Sequence, residues 1–276
     1  MKSMLRAGIA IVCSKSDPAS MNIRSRLLEN FNFKPSGEDV HGEEVYRWGD
    51  VAIITFPRET IYLDEVEQVV EASGVIFASR HAAESGMPAF LAHTPGNWTD
   101  EALYGGRPRS VCIAMPLHLR SSILALERLR IERGFSEWRC GLEVTHHGPY
   151  LERTPAMFIE LGSTPNEWAN SKAALVVAEA IVEALKPQEG PVAVGFGGPH
   201  YAPQFTKILL RDGLAFSHII PKYAFPHVSK REIVQAVERS AVKPSLALID
   251  WKSLKAGERQ LVLDACRELG LEVRKV

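Results

Sequence analysis

The sequence is short of the features that mark several protein classes. Its four cysteines, Cys13, Cys112, Cys140 and Cys266, lie far apart and form no CxxC pair, and three of them sit in apolar stretches. That favours reduced core residues over a disulfide framework or a thiolate metal site. The longest apolar segment, AALVVAEAIVEAL at 173–185, is interrupted by Glu179 and Glu183 at helical spacing. It reads as an amphipathic core helix rather than a membrane span, and with no signal peptide evident a cytoplasmic protein is expected. Neither sign of charge dominates: 32 Lys and Arg stand against 33 Asp and Glu, a formal net charge of -1. A basic nucleic-acid-coating surface is therefore excluded, and an RNA partner would need a local patch. Internal repeats, low-complexity tracts and coiled-coil heptads are missing, as are a dinucleotide fingerprint, a P-loop and a nucleophile elbow around any serine or cysteine. A covalent acyl-enzyme intermediate is accordingly disfavoured.

What the chain does carry is concentrated between Gly141 and Trp168, GLEVTHHGPYLERTPAMFIELGSTPNEW. An extended chain around Val144 places Glu143, Thr145 and His147 on one face and Val144 and His146 on the other. Gly148-Pro149 ends that strand, so both histidines fall at its mouth, where a loop conformation could turn both rings into one cleft. The apolar run MFIEL then holds one anomaly, Glu160, a carboxylate that is costly to bury unless paired, hydrogen-bonded or bound to a metal. Thr164 to Glu167 forms a capping box with proline at the first helical position, predicting one helix from Pro165 to about Leu185.

Elsewhere, strands and helices alternate. The pattern predicts strands at Ile9–Cys13, Val51–Phe56, Gly74–Ser79, Ser110–Met115, Gly190–Phe196, Leu214–Ile220, Ser245–Asp250 and Leu271–Val276. Helices are predicted from about Pro18 to Asn30, with Asp17 as its start, from Tyr62 to Ala72, from Leu117 to Glu132, after the capping box Ser229-Lys230-Arg231-Glu232, and from Gly257 to Leu269. Residues 35–49 read as a polar connection. The fold class is α/β, with a largely parallel or mixed sheet covered on both faces. A single compact domain over 1–276 is expected, with the Gly/Pro-containing linker at 105–109 suggesting subdomains 1–109 and 110–276 as the alternative. Two further histidines stand at strand ends: His81, which position favours, and His93, just before a turn-rich TPGN loop. The loop GGPHYAPQFTK at 197–207 holds His200 and Tyr201 at a strand mouth, where His200 can supply a third imidazole beside His146 and His147. Three such side chains with a water in the fourth position would make a hydrolytic zinc site.

Several segments together carry a family resemblance: CSKSDPASMNI at 13–23, SRHAAESGMP at 79–88, HTPGNW at 93–98, EVTHHGP at 143–149, FIELGS at 158–163, GFGGPHYAPQFT at 195–206 and HIIPKYA at 218–224. In this order they resemble the archaeal and plant type of D-aminoacyl-tRNA deacylase, nearly from end to end. Val144 stands where that family commonly has alanine, an apolar exchange. The resemblance implies hydrolysis of the ester between a D-amino acid and the terminal ribose of tRNA, a dependence on zinc, and a three-layer α/β/α fold of the phosphorylase/hydrolase-like kind, similar to peptidyl-tRNA hydrolases.

The resemblance does not assign each zinc ligand, and the expected roles come from the chemistry of the residues themselves. His146, His147 and His200 are the candidate zinc ligands; Glu143, His147, Glu160 and His200 are the candidate catalytic groups, with a glutamate taking the proton of water and His200 assisting departure of the ribose oxygen. His81, Tyr201, Lys207, Lys222 and Tyr223 are the candidates on the substrate side, the lysines gripping phosphates and a tyrosine stacking on the terminal adenosine. A monomer acting on D-aminoacyl-tRNA is expected. A zinc-dependent amidohydrolase or peptidase of small acyl compounds would use the same histidines. A non-enzymatic RNA-binding module would need the basic residues but no metal.

Overall fold

The computed structural model describes residues 4–276. Its first half contains β1 (Leu5–Ser14), α1 (Pro18–Asn30), β2 (Lys34–Val40), β3 (Glu43–Trp48), β4 (Val51–Phe56), α2 (Val66–Val69), β5 (Val70–Ala82), β6 (Ala89–His93), β7 (Gly96–Asn97), β8 (Ser110–Val111), β9 (Ile113–Ala114) and α3 (Pro116–Glu132). There follow β10 (Arg139–Leu142), β11 (Pro155–Ser163), α4 (Pro165–Trp168), α5 (Ser171–Ala184), β12 (Val192–Phe196), α6 (Pro203–Asp212), β13 (Ala215–Ile220), α7 (Lys230–Glu238), β14 (Leu246–Ile249), α8 (Ala256–Glu268) and β15 (Glu272–Lys275).

β1 is central because its apolar residues face both ways. Ile11 and Cys13 enter the core shared with α1, α3 and α5, while Ala10 and Val12 enter a second core with Leu63, Val66 and Leu151 on the opposite face. A strand buried on both faces suits parallel pairing, and β1 lies parallel to both β4 and β5. The nine-stranded sheet runs β10-β6-β11-β5-β1-β4-β3-β2, with β9 beside β11. Most of its pairings are parallel, but β6 runs antiparallel to β11. The expected three-layer α/β/α arrangement with a mixed sheet is what forms.

A second sheet, not anticipated as separate, has the all-parallel order β13-β12-β14-β15. It has its own core of Val194, Phe196, Ile249, Val262 and Cys266. The division suggested at 109/110 does not follow a sheet boundary, because β9, β10 and β11 belong to the nine-stranded sheet.

Local expectations fail where tertiary partners or caps outweigh propensity. The helix expected over Tyr62–Ala72 shrinks to α2, since Val70 onward pairs with β1 from Leu5 ↔ Val70. The polar connection at 35–49 is instead the β2–β3 hairpin, turned at His41 and Gly42, both with positive φ. Its polarity is that of a sheet edge. The strand expected at Ser110–Met115 divides into β8 and β9, which pair with different partners. The helix expected from Pro165 to Leu185 breaks after Trp168. There the Asn170 side chain accepts from the backbone N–H groups of Lys172 and Ala173 and starts α5 afresh.

The caps at Thr164, Ser229 and Asp17 do form. Asp17 also reaches across the fold: its buried carboxylate accepts from Ser20 N at 3.0 Å, Ser79 Oγ at 3.0 Å and Arg80 N at 2.8 Å, tying α1 to the end of β5. Asp17→Ala leaves three donors without this acceptor and lowers unfolding stability by about 2 kcal/mol in urea titration; a change below about 0.5 kcal/mol would remove this clamp from the account.

Candidate active site

The strand ends described above meet at a cleft of about 560 Å³, lined by Asp17, Thr60, Ser79, Arg80, His81, His146, His147, Glu160 and His200 among others. Residues 143–148 are not strand: β10 stops at Leu142, and the alternation expected through His147 does not occur. The segment is held by backbone bonds from several elements instead. Val144 N donates to His200 O, Thr145 N to Ile219 O, Gly148 N to Tyr104 O, and Gly96 N to His147 O. His147 takes a φ of 41°, a left-handed conformation that a non-glycine residue keeps only where its surroundings fix it. This turns both imidazoles of the pair into the cleft, which simple alternation would have prevented.

Ring tautomers follow from the neighbours. His146 Nδ1 lies 2.8 Å from Val144 O, His147 Nδ1 2.6 Å from Gly148 O, and His93 Nδ1 3.2 Å from Thr94 O. A carbonyl oxygen only accepts, so each Nδ1 carries its hydrogen and each neutral ring presents an unprotonated Nε2. The candidate ligand atoms of these three histidines lie within 4.8 Å of one another. Their ring centroids are 4.1 Å (His93–His146), 4.4 Å (His146–His147) and 4.7 Å (His93–His147) apart. His93 is fully buried, and its Nε2 has no hydrogen-bond partner. It is the site residue that sequence weighed below His81. The available signal was its place at the end of an apolar strand before a turn.

Two buried glutamates complete the cluster. Glu160 Oε2 lies 3.3 Å from His81 Nδ1, and Glu160 Oε1 lies 3.7 Å from His93 Nε2 and 3.9 Å from His147 Nε2. Burial alone would push the Glu160 carboxyl up, but His147, His81 and His93 outweigh it and hold the group well below the usual carboxylate range. The same pairing raises His81 and His93, although burial works against their charged forms. His146 goes the other way: burial and three neighbouring imidazoles keep it well below its ordinary value, hence neutral. Burial lowers His147 as well, against the pull of Glu160. Glu143 Oε1 lies 2.9 Å from His200 Nε2 but off the line a hydrogen bond requires, so both Glu143 oxygens are buried without a hydrogen bond.

Of the substrate-side candidates, His81 belongs to this cluster, and Tyr201 Oη reaches His81 Nε2 at 3.4 Å. Tyr223 Oη meets His200 Nδ1 at 3.1 Å. Lys207 and Lys222 do not line the cleft. Lys207 sits on α6 in a neighbouring groove with Arg139, Tyr201 and Arg211, and Lys222 is exposed beyond His200. His218 is a core residue, bonded through Nδ1 to Thr145 and through Nε2 to Arg239 O, with burial lowering its pKa to about 4. Sequence reading also missed Tyr62 and Tyr104 on the cleft's rim.

The sequence profile of the D-aminoacyl-tRNA deacylases matches residues 69–274. The chain is 41% identical to the D-aminoacyl-tRNA deacylase of Pyrococcus furiosus, over 96% of this chain and 98% of that protein. It is 34% identical to that of Aeropyrum pernix, over 97% and 99%. The crystal structure of a conserved protein of unknown function matches with a TM-score of 0.88 and 33% identity, covering 100% of this chain and 96% of that one. The chain belongs to the D-aminoacyl-tRNA deacylase family.

Proposed function

We propose that this protein hydrolyses the ester linking a D-amino acid to tRNA, releasing both, and that it does so with zinc at the imidazole cluster. The observation carrying the metal reading is that His93, His146 and His147 offer ligand atoms within 4.8 Å of one another, while the Nδ1–H of each ring is engaged by a backbone carbonyl. That is the outer-shell arrangement expected around metal-ligating histidines, and the buried Nε2 of His93 makes no hydrogen bond that a ligand role would displace. An all-imidazole donor set with carboxylates beside it suits zinc. His93, His146 and His147 would hold the ion. His200, also expected as a ligand, belongs with Glu143 and His146 to a second group whose ligand atoms lie within 4.8 Å of one another, its Nε2 2.9 Å from Glu143 and its Nδ1 3.1 Å from Tyr223 Oη. When bound, zinc supplies Lewis acidity to the ester carbonyl and lowers the pKa of water in the site.

The protein's own groups do the rest. Glu160 stays ionised and orients His81, His93 and His147 from beneath. Glu143, with both oxygens free of hydrogen bonds, takes a proton from the attacking water as the water oxygen bonds to the acyl carbon. The proton passes from Glu143 to His200 and from there to the ribose oxygen, as the bond between acyl carbon and ribose oxygen breaks. Glu143 and His200 stand 2.9 Å apart, so a turn of the His200 ring that brings its N–H into line suffices for that transfer. The products are the free amino acid and tRNA, with every proton returned.

The test compares D-tyrosyl-tRNA with L-tyrosyl-tRNA, using untreated, chelator-stripped and zinc-restored protein. The D-substrate is deacylated and the L-substrate is spared. Stripping lowers the rate at least ~100-fold and zinc restores it, with bound metal measured by atomic absorption. Inertness toward both tRNAs would overturn the deacylase reading. Full activity after verified metal removal would leave the histidines as acid–base groups only. The family-independent alternative, a hydrolase of small acyl compounds, is favoured by no feature of the cleft.

A further inference from the structure

The cleft has a side that the hydrolytic cluster leaves unused. The protein has six tyrosines. Four are engaged: Tyr46 beneath Arg24, Tyr150 beneath Arg107 and Arg239, Tyr201 with Arg139 and His81, and Tyr223 with His200. Of these six, all among the described residues, Tyr62 and Tyr104 alone neither hydrogen-bond through the side chain nor pair with a ring or cation. Both line the cleft, and they are 43% and 66% exposed.

These two rings are nonetheless displayed from a rigid base. Gly105 has a φ of +78°, and a Cβ there would fall 1.9 Å from Ile61 O and 3.1 Å from the Tyr62 ring. Gly148 packs so closely on Gly106 that a Cβ would lie 2.2 Å from its nitrogen, and Gly148 N donates to Tyr104 O at 2.9 Å. Ile61, residues 104–106 and Gly148 thus meet backbone to backbone. Each tyrosine stands within one or two residues of a contact that leads to His147. Exposed aromatic rings fixed in this way, with free faces, are what stacks an unpaired nucleobase, a contact that tolerates a near-neutral protein.

We infer that Tyr62 and Tyr104 form the stacking platform for the base of the 3′-terminal, single-stranded nucleotide that bears the ester. The inference rests on the deacylase reading for the identity of that nucleotide. The volume agrees, since a cleft of about 560 Å³ is the size of ordinary small-ligand pockets and accommodates an aminoacyl nucleoside but not a duplex. It also moves the stacking role away from Tyr201 and Tyr223, whose hydroxyls are committed to His81 and His200.

The experiment uses the full chain and its Tyr62→Ala, Tyr104→Ala and Tyr104→Phe variants. Steady-state deacylation of D-tyrosyl-tRNA reads KM and kcat separately, and calorimetry follows binding of the uncharged trinucleotide CCA. Loss of one stacked base costs about 1–3 kcal/mol, so each alanine variant raises KM about tenfold and weakens CCA binding to a similar degree. Tyr104→Phe, which keeps the ring, restores both. An unchanged KM, a fall in kcat without a rise in KM, no rescue by phenylalanine, or no binding of CCA by the wild type at millimolar concentration would overturn the platform. A wild type that binds CCA in a tyrosine-dependent manner yet never deacylates the charged tRNA would instead overturn the reaction and keep the platform.

Discussion

Glu160→Ala lowers kcat/KM for D-aminoacyl-tRNA by about 10³, the middle of the range for losing a group that organises proton transfer. The carboxylate has little freedom to begin with. It sits in β11 between β5 and β6, opposite Ser79 on one side and Leu91 on the other, so both neighbouring strands fix its backbone. Its two oxygens lie within 4 Å of three imidazoles contributed by three different segments, His81, His93 and His147. Without it those rings lose the carboxylate they share, and only Glu143 is left to favour the protonated forms of His81 and His93. Glu160→Gln keeps the volume but places an amide N–H₂ in a cluster built around an acceptor, so its turnover also falls at least ~100-fold. Single-turnover deacylation reads both variants, and urea unfolding checks that each remains folded. Retention of more than a tenth of wild-type turnover by Glu160→Ala would reduce Glu160 to a core residue.

Much of this site was legible because its signals are local. Glu143, His146, His147 and Glu160 lie in one short stretch with two anomalies, adjacent histidines at a Gly-Pro break and an acid in an apolar run. His200 is marked by its glycine-rich loop. His93 carried no comparable signal. Its role depends on β6 running antiparallel to β11, which sets His93 opposite Phe158, two residues from Glu160, and such a register is invisible along the chain. Lys207 shows the converse of His93. Nearness in sequence to His200 suggested a shared site, but α6 carries it into a different groove. The fold divides along the same line. Caps at Asp17, Thr164 and Ser229 were readable from adjacent residues, whereas the β2–β3 hairpin and the separate four-stranded sheet depend on pairing between segments. Asn170 shows that a single side chain can also overrule periodicity, since the apolar pattern runs on past the break it imposes.

Gly148→Ala is the second change expected to have a large effect, and it tests whether the backbone junction positions the chemistry. The requirement at Gly148 is space. A Cβ would meet Gly106 N at 2.2 Å, Gly105 C at 2.3 Å and Ile61 O at 2.5 Å, all of them backbone atoms that cannot rotate aside. One of the three segments therefore has to shift, and the 143–148 loop contains both histidines of the pair. A displacement of about 1 Å at a catalytic group costs about 10²-fold in rate, and overpacking of this kind costs about 1–3 kcal/mol of stability. Gly257→Ala provides the contrast, because Gly257 lies in α8 with open space around it; that variant keeps wild-type activity and is slightly more stable. Tyr104→Ala and Gly148→Ala then separate in their kinetics. Loss of the ring shows in KM, where a base is bound, while the misplaced loop shows in kcat, where the ester is cleaved. If Gly148→Ala lowers only stability and leaves kcat unchanged, the junction supports the fold without setting the geometry of the imidazoles.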